Sequence, residues 1–438
     1  MPPDSPSRPV SLSLRIHCRL ATRLPGLLLR SARERLRVLA ATAATADAAD
    51  GPSRQLLIDV SIIAAHDAGT GIQRVVRRLA EGLLRHPPHG YTVCLVRATR
   101  KLPYRYADDY ARTLVGEAAS PHDCSDRPLT VRAGDVFVGL DLASRIVPRR
   151  MDDLIAMKAA GARVTFVVYD LLPAIHPHWF TRRAARDFRR WLSFLGLHAD
   201  ALFCISATVA GETRDWLSRR FGLAGSQPLI GDFRLGSDFT TLAPRMPKAP
   251  GYNGMLTLLM VGTVEPRKGH AAVLEAMDLL WRRGVPIALT IAGRPGWRID
   301  TLAERLRDHP EVGKRLIWLP AIDDVALSRR YDSADGLIMA SQAEGFGLPL
   351  VEAALHGLPI LARDIPVFRE VAGEHARYFA SGEPAQLADA IECWAAELRA
   401  GTAPDSRGMP LATWDDSTAH FTALLQRAAA PAPNMPLD

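Results

Sequence analysis

From Gln55 onward the chain alternates short, apolar, β-rich runs with amphipathic runs of period 3.6. QLLIDVSII is followed by GIQRVVRRLAEGLL and then YTVCLVRA, which predicts strand, helix, strand. The rhythm continues through GDVFVGLD (134–141), MDDLIAMKAAG, VTFVVYD (164–170), TRRAARDFRRWLSFLGLHA and ALFCIS (201–206). Strands this apolar suit a parallel sheet covered by helices on both faces. At 244–254 the text becomes PRMPKAPGYNG, without periodicity and rich in proline and glycine, which predicts a linker. Beyond it the pattern restarts with MLTLLMVG, AAVLEAMDLLWRRG, IALTIAG, LAERLRD, RLIWLPA, VALSRRYDSA, DGLIMAS and PILARD. The expected fold class is therefore α/β, with two doubly wound domains at 55–243 and 255–427. PAQLADAIECWAAELRAG should close the second, leaving 428–438 as a disordered tail. Two Rossmann-like sheets in one chain are expected to face a cleft at the carboxyl ends of their strands, where ligands of such sheets bind.

Composition agrees with a folded, globular body: 438 residues, 48% hydrophobic, 23% charged, mean hydropathy near zero. Five cysteines stand far apart with no CxxC pair, which argues against a zinc site or a disulfide framework and fits a reducing cytoplasm. The net charge of +7 is uneven, because residues 1–50 hold 8 arginines against 4 acids. Within them GLLLRSARERLRVLA sets Leu28, Ala32, Leu36 and Leu39 on one helical face with Arg30, Arg33 and Arg37 elsewhere. Residues 1–50 are either a basic amphipathic anchor on an anionic membrane surface or a poorly ordered extension. Arginines interrupt every apolar run, which disfavours a secretory signal, and no stretch reaches the roughly 20 apolar residues of a membrane span. No basic patch is interleaved with aromatics, so nucleic acid is not an expected partner.

The chemistry concentrates at two places. EGFGLPLVEAALHGLP follows the strand DGLIMAS, so Glu344, Gly345, Phe346 and Gly347 form the turn at its carboxyl end, and Pro349 suits the first position of a helix. Amides of Gly347 and Leu348 at a glycine-lined helix start suit a diphosphate. Glu344 before the helix and Glu352 one turn inside it are spaced to reach opposite ends of a ligand, or else serve as a cap and a solvated first-turn acid. MLTLLMVGTVEPRKGH places Gly262, Thr263, Glu265, Arg267, Lys268 and Gly269 after the first strand of the same domain, where Arg and Lys could neutralise a leaving diphosphate.

Together these segments resemble the retaining GT-B glycosyltransferases of family 4, the group 1 glycosyltransferases, over nearly all of residues 55–400. YDSADGLIMAS, LTIAGRPGW, PILARDIPVFREVAGE and ADALFCISATVAGETRDWL stand where that family has its companion segments. The resemblance implies a nucleoside-diphosphate sugar as donor and no cofactor or bound metal. It implies that Glu344 contacts the donor sugar, Glu352 the ribose, Arg267 and Lys268 the diphosphate, and Phe346 to Leu348 the phosphate and sugar.

Two departures stand out. Thr263 occupies the place where many members carry arginine, so Arg267 must supply that cation. The strand VVYDLLPAIHPHWF ends in Tyr169 and Asp170 where many members have a histidine before the aspartate. Asp170 is the preferred candidate for holding an acceptor hydroxyl, ahead of His176 and His178; its alternative role is capping the next turn. Gly69, Thr70 and Gly71 open a helix carrying Arg74, Arg77 and Arg78, which is either a second anion site or a tight turn beside a solvated basic face. TGIQRVVR resembles bacterial transferases that build cell-surface polysaccharide. That likeness implies a glycan or lipid-diphosphate-linked acceptor and a cytoplasmic protein peripheral to the inner membrane. A non-catalytic sugar-nucleotide-binding component and a sugar-nucleotide epimerase are the rival readings.

Overall fold

The computed structural model describes residues 10–23, 27–44, 53–116, 127–222, 227–237, 254–380 and 382–429. The chain divides into two compact units: residues 1–236 with 414–438, and residues 237–413. All of the linker expected at 244–254 except Gly254, and most of the expected tail, lie outside the described residues.

The first unit holds a seven-stranded sheet of order β3-β2-β1-β4-β5-β6-β7. Its strands are β1 (Arg54–Asp59), β2 (Tyr91–Arg97), β3 (Arg105–Tyr106), β4 (Val136–Gly139), β5 (Arg163–Val168), β6 (Ala201–Cys204) and β7 (Leu229–Asp232). All neighbours pair in parallel except the short edge strand β3. Strands β4 and β6 are buried along their whole length, as expected of a sheet covered on both faces.

The second unit holds six parallel strands in the order β10-β9-β8-β11-β12-β13. They are β8 (Leu256–Val261), β9 (Ile287–Ala292), β10 (Leu316–Leu319), β11 (Gly336–Met339), β12 (Ile360–Arg363) and β13 (Arg377–Phe379). The winding reverses between β8 and β11, so loops leaving their carboxyl ends diverge and open a crevice there. Gly336 lets the indole of Trp394 lie on β11: a Cβ at that position would sit 2.2 Å from the ring.

Two segments depart from the sequence expectation. Residues 12–21 and 27–44 are neither a free extension nor an anchor built on Leu28. They form helices α1 (Leu12–Ala21) and α2 (Leu27–Ala44), and Leu14, Cys18, Ala21, Leu29, Ala32 and Leu36 join the first unit's core. The inward face of α2 is rotated from the expected one, leaving Leu28 exposed and Arg33 buried. The cause is electrostatic. The Arg33 guanidinium donates to the carbonyls of Gly196 (3.1 Å) and Ala199 (2.6 Å) at the carboxyl end of the helix Arg182–His198, where unpaired carbonyls favour a cation.

The second departure is the helix Trp414–Ala429, which belongs with the first unit rather than with the second. Phe421 packs edge-on against Phe203 at 5.6 Å and lies 5.1 Å from Phe233, burying the apolar stripe that helix carries. Among the described residues no helix is long and apolar enough to cross a membrane.

Candidate active site

The site is built at the carboxyl ends of β8 and β11. After β8 the chain passes Gly262, with φ of 130°, and makes a 3-10 turn at Pro266–Lys268. The turn ends in Gly269, whose φ is 77° and whose missing Cβ would meet the Ala340 carbonyl at 2.4 Å. Only glycine permits that approach, which brings the 265–269 loop against the end of β11. The Gln342 amide donates to the Arg267 carbonyl at 2.8 Å, and Arg267 Nη1 donates to the Ala343 carbonyl at 3.0 Å. The two loops are thereby one unit.

Their charged side chains form a compact cluster. Glu344 receives Arg267 Nη1 on Oε2 at 2.8 Å and the Lys268 ammonium on Oε1, while Arg267 Nη2 pairs with Glu265 Oε1 at 2.6 Å. Glu265 is 3% exposed, Glu344 9%, and both cations 14%. Burial would raise the Glu344 carboxyl, but Arg267 and Lys268 outweigh it and hold its pKa down to about 2. Two acids and two cations thus balance at the mouth of the crevice. Next to Lys268, His270 is buried and neither ring nitrogen finds a partner among the described residues. Burial, and then the Lys268 charge, depress its pKa to about 3, so the ring is neutral.

The turn of β11 leads through Gly345, Phe346 and Gly347 into the helix Leu348–Leu355. Gly347 caps it with φ of 103°, and Pro349 is its second residue rather than its first. Phe346 is buried, so its backbone is what it can offer a ligand. Thr263 is half-buried on the β8 side of the crevice. Glu352 is also half-buried, and its Oε2 accepts the Tyr331 hydroxyl at 2.6 Å; the Tyr331 ring stacks on His356 at 5.1 Å. The motif reading missed this anchor because Tyr331 lies 21 residues upstream on another helix. Tyr331→Phe should weaken nucleotide binding about fivefold, the value of one ordinary hydrogen bond, because the lost bond orients Glu352 and does not itself touch the nucleotide. Calorimetry checks this, and an unchanged affinity would show that Tyr331 does not set the Glu352 rotamer.

In the first unit the expected residues are placed less favourably. Tyr169 is buried and its hydroxyl donates to the Leu140 carbonyl at 2.8 Å, which commits the phenol to the fold. Asp170 follows β5 and its Oδ1 accepts the Leu172 amide at 3.0 Å, the capping role foreseen as its alternative. A residue that motif reading passed over lies beside it. Glu212, on the helix Ala207–Phe221, is raised to about 7 by burial and by the Asp170 charge. The His176 ring packs tilted against Trp179 at 4.2 Å, and burial lowers its pKa.

At the first βα turn, Thr70 and Gln73 make a capping box at the start of α3 (Gly71–Arg85). The amides of Ala68, Gly69 and Thr70 are spent on Gln73 and Asp67, at 2.8, 2.9 and 3.3 Å respectively. Arg77 pairs with Asp67, and Arg74 is half-buried one turn into α3. The Gly69–Gly71 loop is thus bonded mainly to itself.

Comparison with known proteins matches residues 246–397 to the family of glycosyl transferases group 1. The serotype-specific mannosyltransferase WbdA of Escherichia coli is 41% identical over 375 residues, covering 83% of this chain; the chain spans 44% of that protein's length. Among solved structures, sucrose-phosphate synthase from Thermosynechococcus elongatus superposes with a TM-score of 0.56 at 16% identity, covering 85% of this chain and 98% of that one. HepE from Anabaena, solved in complex with UDP-glucose, gives 0.54 at 14% identity, covering 86% and 98%. These two carry the fold. The chain has the GT-B architecture, and its second unit is a group 1 glycosyltransferase domain.

Proposed function

We propose that the protein is a retaining, metal-independent glycosyltransferase. It moves a mannosyl residue from a nucleoside-diphosphate sugar to a glycan or lipid-diphosphate-linked acceptor in cell-surface polysaccharide such as O-antigen. The observation that carries this reading is Glu344 held between Arg267 and Lys268 at the β8/β11 switch point, on the edge where such sheets bind nucleotides. The mannosyl group and the O-antigen setting rest on the likeness to WbdA.

In this reading Arg267, Lys268 and the start of the helix Leu348–Leu355 take up the negative charge of the diphosphate as its bond to the anomeric carbon breaks. The electron pair leaves with the diphosphate oxygen. The acceptor oxygen bonds to the same face of the sugar, and its proton passes to the departing phosphate. Glu352, oriented by Tyr331, binds the ribose diol, and Glu344 orients the sugar hydroxyls. Asp170 and Glu212 receive the acceptor hydroxyl. A water-soluble donor and a lipid-linked acceptor would meet at the cytoplasmic face of the inner membrane.

The test is transfer itself: GDP-mannose, UDP-glucose and TDP-rhamnose offered with a mannoside carried on a lipid diphosphate, with and without EDTA. Release of one nucleoside diphosphate, with the donor's own anomeric configuration kept in the product and an unchanged rate in EDTA, is expected. An inverted product or loss of rate in EDTA contradicts the mechanism. Release without a glycosylated acceptor contradicts the transferase reading.

A further inference from the structure

Helix α1 is apolar on two opposite faces. Leu14, Cys18 and Ala21 point into the first unit's core, and on the other side Leu12, Ile16 and Leu20 repeat every fourth residue. These three are 72%, 49% and 45% exposed, an unbroken apolar stripe where a soluble helix carries charge. Beside this stripe opens a cleft of about 1090 Å³ within the same unit. Eleven arginines line it against two aspartates, Asp152 and Asp187. Those acids are already taken: Asp152 pairs with Arg19 of α1 at 2.8 Å, and Asp187 lies 3.5–3.8 Å from Arg145, Arg183 and Arg186. Arg19 and Arg23 belong to the cleft and also flank the apolar stripe, so the two features are continuous.

We propose that α1 and the arginine cleft form one docking surface for an anionic phospholipid bilayer. Leu12, Ile16 and Leu20 enter the headgroup and acyl boundary, and the arginines of the cleft hold lipid phosphates around them. A high local density of like charge is tolerable where a layer of opposite charge neutralises it, and an exposed apolar stripe beside it is what a purely aqueous polyanion would not need. The surface differs from the one expected at Leu28–Leu39, whose apolar face the fold consumes. It belongs to the first unit and the donor site to the second, and the transferase reading does not depend on it.

Flotation with vesicles tests it, using the full chain, phosphatidylcholine alone, and phosphatidylcholine mixed with phosphatidylglycerol. The protein should float only with the anionic vesicles and be released as salt rises. Ile16→Glu with Leu20→Glu, and Arg186→Glu with Arg190→Glu, should each lower vesicle binding at least about tenfold. All four positions are exposed, so thermal melting should be unchanged, which separates lost docking from lost folding. Absence of binding to anionic vesicles, or equal binding to neutral ones, overturns the proposal. So does wild-type binding by the Ile16/Leu20 variant together with displacement by millimolar inorganic diphosphate, which would make the cleft a soluble-anion site. Transfer to a lipid-free mannoside reports the glycosyltransferase reading separately in the same preparations.

Discussion

Arg267→Met is expected to destabilise the second unit by about 3–5 kcal/mol, the cost of stripping a partner from buried charge. Arg267 serves two acids at once, Glu265 and Glu344, and neither is more than 9% exposed. Methionine keeps much of the volume but leaves Glu265 without this cation and Glu344 with Lys268 alone. The effect has a pH signature. The Glu344 carboxyl stands at about 2 in the folded protein against 4.5 ordinarily, so its contribution is fully present above about 4.5 and disappears as pH falls through about 2. For the wild type that is on the order of 3 kcal/mol across the acid limb. In the variant burial dominates, the carboxyl rises, and this part of the acid limb flattens. Denaturant unfolding at neutral pH and between pH 5 and pH 2 measures both quantities, where those limits are approximate bounds of the same titration. A variant within about 0.5 kcal/mol of wild type would mean that the cluster is a surface pair of little consequence.

Charge balance in the same cluster separates two substitutions. Lys268→Ala should lower turnover at least tenfold, about 1.4 kcal/mol of transition-state stabilisation, because it removes a cation from beside the departing diphosphate. Glu344→Gln should also slow turnover, yet it frees Arg267 and Lys268 from their shared carboxylate and leaves the cluster with one net positive charge. Nucleoside diphosphate should then bind about tenfold more tightly than to wild type, a modest share of the Coulomb energy available at such distances. The pair of outcomes is diagnostic: weaker chemistry with weaker product binding for Lys268→Ala, weaker chemistry with tighter product binding for Glu344→Gln. Wild-type turnover in Lys268→Ala would reject its assignment to the donor site. Weaker product binding in Glu344→Gln would mean that the carboxylate orders the loops more than it competes for the cations.

Much of this fold is legible in the sequence. Strands such as β4, β5, β8 and β9 are apolar along their length and bounded by helical periodicity, so their order and the parallel sheets follow from local pattern. Edge strands β3 and β13 are not, because two or three residues carry too little periodicity, and neither is β7, whose LIGD buries none of its four residues. The Trp414–Ala429 helix shows that an amphipathic stripe announces a buried face without saying which core receives it. Arg33 makes the same point on α2: its place depends on carbonyls more than 160 residues away. At the site, Glu344, Arg267 and Lys268 were found by motif and their proximity follows from β8 and β11 being neighbours. Their mutual pairing, the Tyr331 anchor and Glu212 beside Asp170 arise from contacts between segments, and no local spacing encodes them.

The central claim, that the second unit holds a nucleoside-diphosphate donor between the Glu344 cluster and Glu352, is tested most directly by calorimetric titration. GDP, UDP, TDP and ADP are compared on wild type and Glu352→Ala. One nucleotide should bind with clear preference and lose at least about tenfold in affinity in the variant, as a charged hydrogen bond to the ribose would require. Binding of none of the four, or equal affinity in wild type and Glu352→Ala, would contradict the account.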